Sequence, residues 1–150
     1  MKKISIIFIL LFLLSACGNN QQVMDKPAED GNYYYSNKGL GFSLALPPEF
    51  IYYQTQRKET ENYVDLEIFV PTTDKTIVHE VPDYVKPIVV RIFSQDYWQT
   101  IDKTDGIFIK MGEAGDKVYT LMFWDEVPND WLDKWNEELK EKLKNNFKIL

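Results

Sequence analysis

A mainly antiparallel β-sheet with one short helix and one long C-terminal helix, an α+β fold, follows from three features of the chain. From Asn32 onward, short apolar runs alternate with turn residues, several with a period of two. Near the end the spacing becomes helical, with Trp131, Leu132, Trp135, Leu139 and Leu143 on one face. Everything before Asn32 is of another kind: an apolar run at the extreme N-terminus, then a polar stretch.

Asn32 to Ser36 is aromatic and strand-like, Asn37 to Gly41 supplies turn residues, and Phe42 to Leu46 reads as a second strand ended by Pro47-Pro48. Phe50 to Gln56 suits a third strand, followed by a polar loop over Arg57 to Asn62. In Tyr63 to Val70, the side chains of Val64, Leu66, Ile68 and Val70 share one face and Asp65 and Glu67 the other, which predicts a strand with one face buried. Residues 71–87 contain three prolines and read as a long loop. Ile88 to Phe93 is an apolar run suited to a central strand. Ser94 can cap a short helix over Gln95 to Lys103, with Tyr97, Trp98 and Ile101 at helical spacing. Ile107 to Met111 and Val118 to Trp124 form a hairpin around Gly112 to Asp116. Pro128-Asn129-Asp130 caps the long helix, whose other face pairs Glu138 with Lys142, and Phe147 to Leu150 packs back as a tail.

The N-terminus carries an address. Met1-Lys2-Lys3 is a positive start, and Ile6 to Leu14 is an unbroken run of nine apolar residues. As a helix that run spans about 14 Å, under half of the roughly 30 Å hydrocarbon core, so it reads as a secretion signal and not a permanent span. Leu14-Ser15-Ala16-Cys17 then resembles the lipobox of bacterial lipoproteins at every position. The resemblance implies cleavage before Cys17, a diacylglycerol on its sulfur and a further acyl chain on the new amino group. Two or more chains hold stably at a membrane where one is marginal. The partner implied is thus a bacterial membrane, cytoplasmic or outer, reached through Cys17; Gly18 resembles residues that permit outer-membrane sorting.

Three segments follow: a signal peptide over 1–16, the lipidated cysteine with a flexible tether over 17–31, and a folded domain over 32–150. Gly18 to Gly31 has Val23, Met24 and Ala28 as its only apolar side chains, too few to offset the entropy of ordering. As a coil its ends lie about 20 Å apart.

Tyr35-Ser36-Asn37-Lys38-Gly39-Leu40-Gly41-Phe42-Ser43-Leu44, followed by Leu46-Pro47-Pro48-Glu49-Phe50, is similar to the opening hairpin of PsbP-like domains. Val118-Tyr119-Thr120-Leu121 and a helix ending in Phe147-Lys148-Ile149 resemble that family's final strand and helix. Phe50 replaces the family's usual tryptophan, and the 71–87 loop has no counterpart. The resemblance implies an α/β/α sandwich and a non-catalytic binding or scaffolding module, and it carries over no metal-binding residue.

Composition narrows the chemistry. The net charge is -6 overall and -8 without the leader, which disfavours a nucleic-acid partner. One cysteine excludes an intramolecular disulfide and a cysteine-based zinc cluster. There is no G-x-S-x-G and no phosphate-cradling glycine loop, and no cofactor is expected. His79, the single histidine, stands beside Glu80 and near Asp83, as a metal ligand or base or as a solvated loop residue. Asp102 to Gly106 looks like a calcium loop, but with Gly106 at the sixth position Ile101 falls at the first.

Tyr33-Tyr34-Tyr35 and Tyr52-Tyr53 place successive rings on opposite faces, so one ring of each run should lie outward. Tyr33, Tyr35 and Tyr53 are the candidate contacts for a ligand or protein partner; the competing reading packs such rings under the helices. Three functions remain: an envelope accessory module binding a protein, a glycan- or small-ligand-binding lipoprotein, and a carboxylate hydrolase, with a non-enzyme expected.

A fragment spanning 32–150 is expected to be soluble and to unfold cooperatively in urea. An aggregated or molten product would displace the boundary at residue 32.

Overall fold

The computed structural model describes residues 26–104 and 106–150. The leader, Cys17 and the tether as far as residue 25 lie outside them. The end of the expected tether is a turn, in which the Gly31 N–H donates to Ala28 O at 2.9 Å and the Asp30 carboxylate accepts from Asn32 and the Tyr34 hydroxyl.

In chain order the described elements are β1 (Tyr33–Asn37), β2 (Phe42–Leu46), β3 (Gln54–Glu59), β4 (Tyr63–Pro71), β5 (Tyr84–Ser94), α1 (Gln95–Thr100), β6 (Ile109–Ala114), β7 (Lys117–Phe123), α2 (Glu137–Asn145) and β8 (Phe147–Ile149). They form two antiparallel sheets, β1-β2-β8 and β3-β4-β5-β7-β6. The fold is therefore α+β and mainly antiparallel sheet, divided in two where a single sheet was expected. The C-terminal tail packs back as β8, pairing with β2 through Phe42↔Ile149 and Leu44↔Phe147.

One core joins the sheets. Phe42, Leu44 and Leu46 of β2 meet Leu66 and Ile68 of β4, Val90 of β5 and Leu121 of β7, with Leu139 and Leu143 of α2. Phe42 stacks on Phe147 with centroids 5.3 Å apart and meets Tyr119 edge-on at 6.5 Å. The Tyr119 hydroxyl donates to Leu40 O at 3.0 Å, closing the β1–β2 turn against the large sheet. Because strand side chains alternate, Phe93 of β5 and Val118 of β7 point the other way, where they meet Trp98 of α1 in a smaller cluster.

Several boundaries differ from expectation, each for a local reason. Pro48–Phe50 is a 3-10 turn and Tyr52 takes φ +59°, so the third strand starts at Gln54 and runs through the expected loop to Glu59. β5 starts at Tyr84, before Pro87, because Lys86 and Pro87 together face Phe69 in a bulge: Ile68 pairs with Ile88 but Val70 with Val85. The loop is accordingly confined to residues 72–83.

α1 ends at Thr100, where Ile101 turns extended. The expected long helix is broken in two. Asn129–Trp131 is a 3-10 turn that leaves Leu132 exposed, and Asn136, extended at φ -123° and ψ 175°, restarts the helix by accepting from the Leu139 N–H at 2.9 Å.

Gly41 sits at φ +82°, and a Cβ there would lie 2.6 Å from the Tyr119 hydroxyl; Gly115, at φ +60°, faces open space. Gly115→Ala is expected to cost about 1 kcal/mol for its backbone alone. Gly41→Ala should cost at least about 1 kcal/mol more in urea unfolding, because a buried side chain must also shift. Tyr119→Phe should cost about 1 kcal/mol by itself and recover part of the Gly41→Ala loss in the double variant. Equal costs at the two glycines would show that the close approach carries no weight.

Candidate functional site

The outward face of the five-stranded sheet carries charge where solvent-facing residues were expected. Asp65 and Glu67 are 5% and 3% exposed, so β4 is buried on both faces. Register explains how two carboxylates come to be buried. Across the strands, Lys58 opposes Asp65, Asp65 opposes Arg91, and Arg91 opposes Thr120. Arg91 holds Asp65 with two bonds, Nε to Oδ1 at 2.6 Å and Nη2 to Oδ2 at 2.7 Å, while its guanidinium lies 4.0 Å from the Tyr63 ring centroid. A planar fork suits both contacts at once.

Glu67 is held by two lysines. Lys86 Nζ lies 2.7 Å from Oε1, and Lys58 Nζ lies 2.9 and 2.8 Å from the two oxygens. The same two lysines reach Glu80 in the 72–83 loop, at 2.8 Å from Lys86 and 3.2 Å from Lys58. The Lys86 bond, with help from Lys58, holds the Glu80 carboxyl below its ordinary value. Glu80 therefore pins the loop to the sheet.

The other end of this loop is tied by two carboxylates. Asp74 accepts from the Asn129 N–H at 2.8 Å and its amide at 2.9 Å, and from the Thr76 N–H and hydroxyl at 2.8 and 2.6 Å. Asp130 accepts from the Thr72 hydroxyl at 2.7 Å and from the Thr73 N–H at 2.8 Å. The Asn129 N–H and the Thr76 bonds hold the Asp74 carboxyl at about 2. Burial alone would raise Asp130, but the bonds from Thr73 and Thr72 outweigh it and leave that carboxyl lowered. Trp131 adds a bond from Nε1 to Pro71 O at 3.1 Å.

Beneath this strapped loop lies a cleft of about 160 Å³. Phe69, Tyr84, Val85 and Trp124 line it from the sheet side, and Ile77 and Val78 from the loop. Val78 is 92% exposed at its edge. Its charged residues are Lys86 and Glu80, paired as described, and Glu126, which has no ion-pair partner among the described residues. Trp124 is braced by edge-to-face contacts with Trp135 at 5.0 Å and Trp131 at 5.7 Å.

The tyrosines nominated as contacts require correction. Tyr33, Tyr35 and Tyr53 are all in the core, none more than 8% exposed. Tyr33 meets Tyr53 edge-on at 6.2 Å and Tyr35 packs on Phe42, because β1 turns these odd-numbered rings toward the large sheet. Burial pushes the Tyr53 hydroxyl up to about 12, and it has no hydrogen-bond partner among the described residues. The outward rings of the two runs are Tyr34 and Tyr52.

His79, Glu80 and Asp83 each have a different partner. The His79 ring faces Asp74 O through Nε2 at 2.7 Å, so that nitrogen carries the proton; Asp83 pairs with Lys75. Asp102 accepts from the Thr104 N–H and hydroxyl at 2.9 and 2.8 Å in a local turn, while Asp105 lies outside the described residues. Among the described residues no three His, Cys, Asp or Glu side chains gather as metal ligands would. Cys17, the lipidation candidate, lies outside the described residues.

Sequence reasoning missed Asp74, Asp130, Lys58, Lys86 and Trp124. Thr72-Thr73-Asp74 held a local hint, since threonines beside an aspartate favour side-chain-to-backbone turns. No protein-family model, curated protein or solved structure matches the chain.

A carboxyl held low in the folded state stabilises above its unfolded value and ceases to do so as pH falls through its folded value. For Asp74 that window runs from about 4 down to about 2. Wild type should therefore melt higher than Asp74→Asn at pH 7, and the gap in Tm should narrow as pH falls through that window. A constant gap from pH 7 to pH 2 would show that the charge of Asp74 does not hold the loops.

Proposed function

We propose that the chain is a lipid-anchored, extracytoplasmic accessory or binding module of a bacterial envelope, non-catalytic, with a PsbP-like domain over 32–150. The observation that carries the reading is Leu14-Ser15-Ala16-Cys17 directly after a short apolar run. Among the described residues no helix is long and apolar enough to cross a membrane.

The non-catalytic part of this reading rests on the PsbP-like resemblance and on a sequence without G-x-S-x-G or a phosphate-cradling glycine loop. The PsbP-like sandwich draws support from the separate packing of the helices: α1 lies with Phe93 and Val118 on one face of the large sheet, and α2 packs against β2, bringing Leu139 and Leu143 into the core on the opposite side. The partner is an envelope protein, and no nucleic acid is involved.

A second reading, a glycan-binding lipoprotein, rests on Tyr34 and Tyr52, exposed at 53% and 48%. Tyr52 holds a left-handed backbone that is strained for an aromatic residue, as displayed residues sometimes are. Tyr34 lies on β1, at the edge of the small sheet, and Tyr52 in the turn before β3, and neither lines the cleft beneath the 72–83 loop.

Cys17→Ser is expected to leave the chain unprocessed or release it into the soluble fraction. Normal cleavage with unchanged membrane retention would overturn the anchor. Chemical crosslinking in intact membranes, followed by mild solubilisation and capture, should return a reproducible envelope protein that Cys17→Ser loses. Capture of none by folded protein would shift the reading to glycan binding.

A further inference from the structure

We infer that the cleft beneath the 72–83 loop receives one apolar side chain of a partner protein, presented between basic residues. The inference rests on the reading of the chain as a binding module and names the chemistry of its partner.

Size selects a side chain over a free ligand. Pockets that bury a small molecule span roughly 300–1,000 Å³. This one holds about 160 Å³, close to the roughly 150 Å³ that admits a single benzene ring. Such a volume takes one phenyl or branched aliphatic group, the anchor residue of a wider interface. Phe69, Val85 and Trp124 supply apolar walls, and Val78 continues that surface outward where water would otherwise cover it. A lone exposed valine is ordinary; one at the edge of an aromatic-lined cleft extends the contact area.

Charge selects the neighbours of that side chain. An anionic segment would need a cation to meet. Lys86 already contacts Glu67 at 2.7 Å and Glu80 at 2.8 Å, and Lys58 is shared between the same two carboxylates. The charge left over is negative: Glu126 at the cleft, and Asp125 beside it, both exposed and without ion pairs among the described residues. The chain as a whole is at -6, so the long-range field has the same sign. A lysine or arginine flanking the anchor satisfies this rim, whereas a carboxylate meets repulsion and loses solvation.

The test uses the full chain in neutral detergent micelles with labelled valine and isoleucine methyls, titrated with acetyl-Lys-Phe-Lys-amide. Saturable shifts are expected at Val78, Val85 and Ile77. Acetyl-Lys-Ala-Lys-amide and acetyl-Glu-Phe-Glu-amide should each bind at least about fivefold more weakly, the first for want of an anchor and the second for its charge. Glu126→Lys, at an exposed position, leaves Asp125 opposed by the new lysine and should remove most of the preference between the Lys and Glu peptides while leaving Tm unchanged.

The inference is overturned by shifts confined to other regions, by equal binding of the alanine peptide, or by equal binding of the glutamate peptide. It is also overturned if phenylalanine amide alone binds as tightly as the peptide, which would mark a small-molecule site. Crosslinks to a partner that all fall outside the cleft would refute the cleft and leave the binding-module reading standing. Cleft shifts with an empty membrane capture would do the reverse.

Discussion

Two carboxylates, Asp74 and Asp130, each reach into the loop that carries the other, and the organisation of one end of the molecule depends on that exchange. Asp74 caps the Asn129 backbone while Asp130 caps Thr72 and Thr73. Ionised carboxylates accepting from backbone N–H groups form strong, directional bonds, so the two loops are set relative to each other by geometry and not only by apolar contact. What is set is consequential. Trp131 enters its site beside Phe50 and Trp124, Nε1 of Trp131 finds Pro71 O, and the 72–83 loop is held over the ends of β4, β5 and β7. The cleft lies between that loop and the sheet, lined from both. Backbone bonds alone, here Thr72 N–H to Asp83 O at 2.9 Å, close the loop at its base and do not position its crest.

The crest is positioned from the opposite side by ions. Taking Glu67 and Asp65 out of water costs several kcal/mol each unless partners restore what solvation supplied. Both carboxylates have such partners: Arg91 engages both oxygens of Asp65, and two ammonium groups surround Glu67. Those ammonium groups then have bonding capacity left, which Glu80 takes up. The buried charge of Glu67 and the loop's position are thereby one network, spanning Lys58 of β3, Glu67 of β4, Lys86 of β5 and Glu80 of the loop. Loss of Glu80 would release the loop's hold on the two lysines, leaving them paired with Glu67 and the loop tied through Asp74 and Asp130; loss of Glu67 would leave both lysines with Glu80 alone.

How much of this was legible in the sequence depended on whether the cause was local. The alternation Val64-Leu66-Ile68-Val70 and the run Ile88 to Phe93 are local, and they became the neighbouring strands β4 and β5 at the centre of the large sheet. Pro87 is local too, but its meaning is not: it reads as a loop residue until register with Phe69 turns it into a bulge. Alternation revealed that Tyr33 and Tyr34 point opposite ways; which side faces the core depends on the sheet packed opposite, a relation among distant segments. Trp131, Leu132 and Trp135 kept helical spacing without being a helix, because Asn136 offers the next turn a cap and Asp130 is committed to the threonines. The site was least legible of all. Its walls come from residues near 69, 77, 85 and 124, and Asp65 and Glu67 read as solvent-facing until Arg91, Lys58 and Lys86 are seen opposite them.

A cleft that admits one side chain makes sense on a tethered domain and would be weak on a free one. Burying a single phenyl or leucyl group yields a contact too feeble to hold two proteins that meet only by diffusion, since association first costs their translational and rotational freedom. Attachment changes that balance. If Cys17 is lipidated and the partner resides in the same envelope, the short expected tether would keep the cleft in a thin layer above the membrane. Short flexible linkers create effective concentrations in the millimolar range, at which even a millimolar contact is substantially occupied. The acidic rim would then serve selection more than strength: it would turn away anionic segments and orient basic ones, while a lipid anchor would supply the persistence that a cleft of about 160 Å³ cannot.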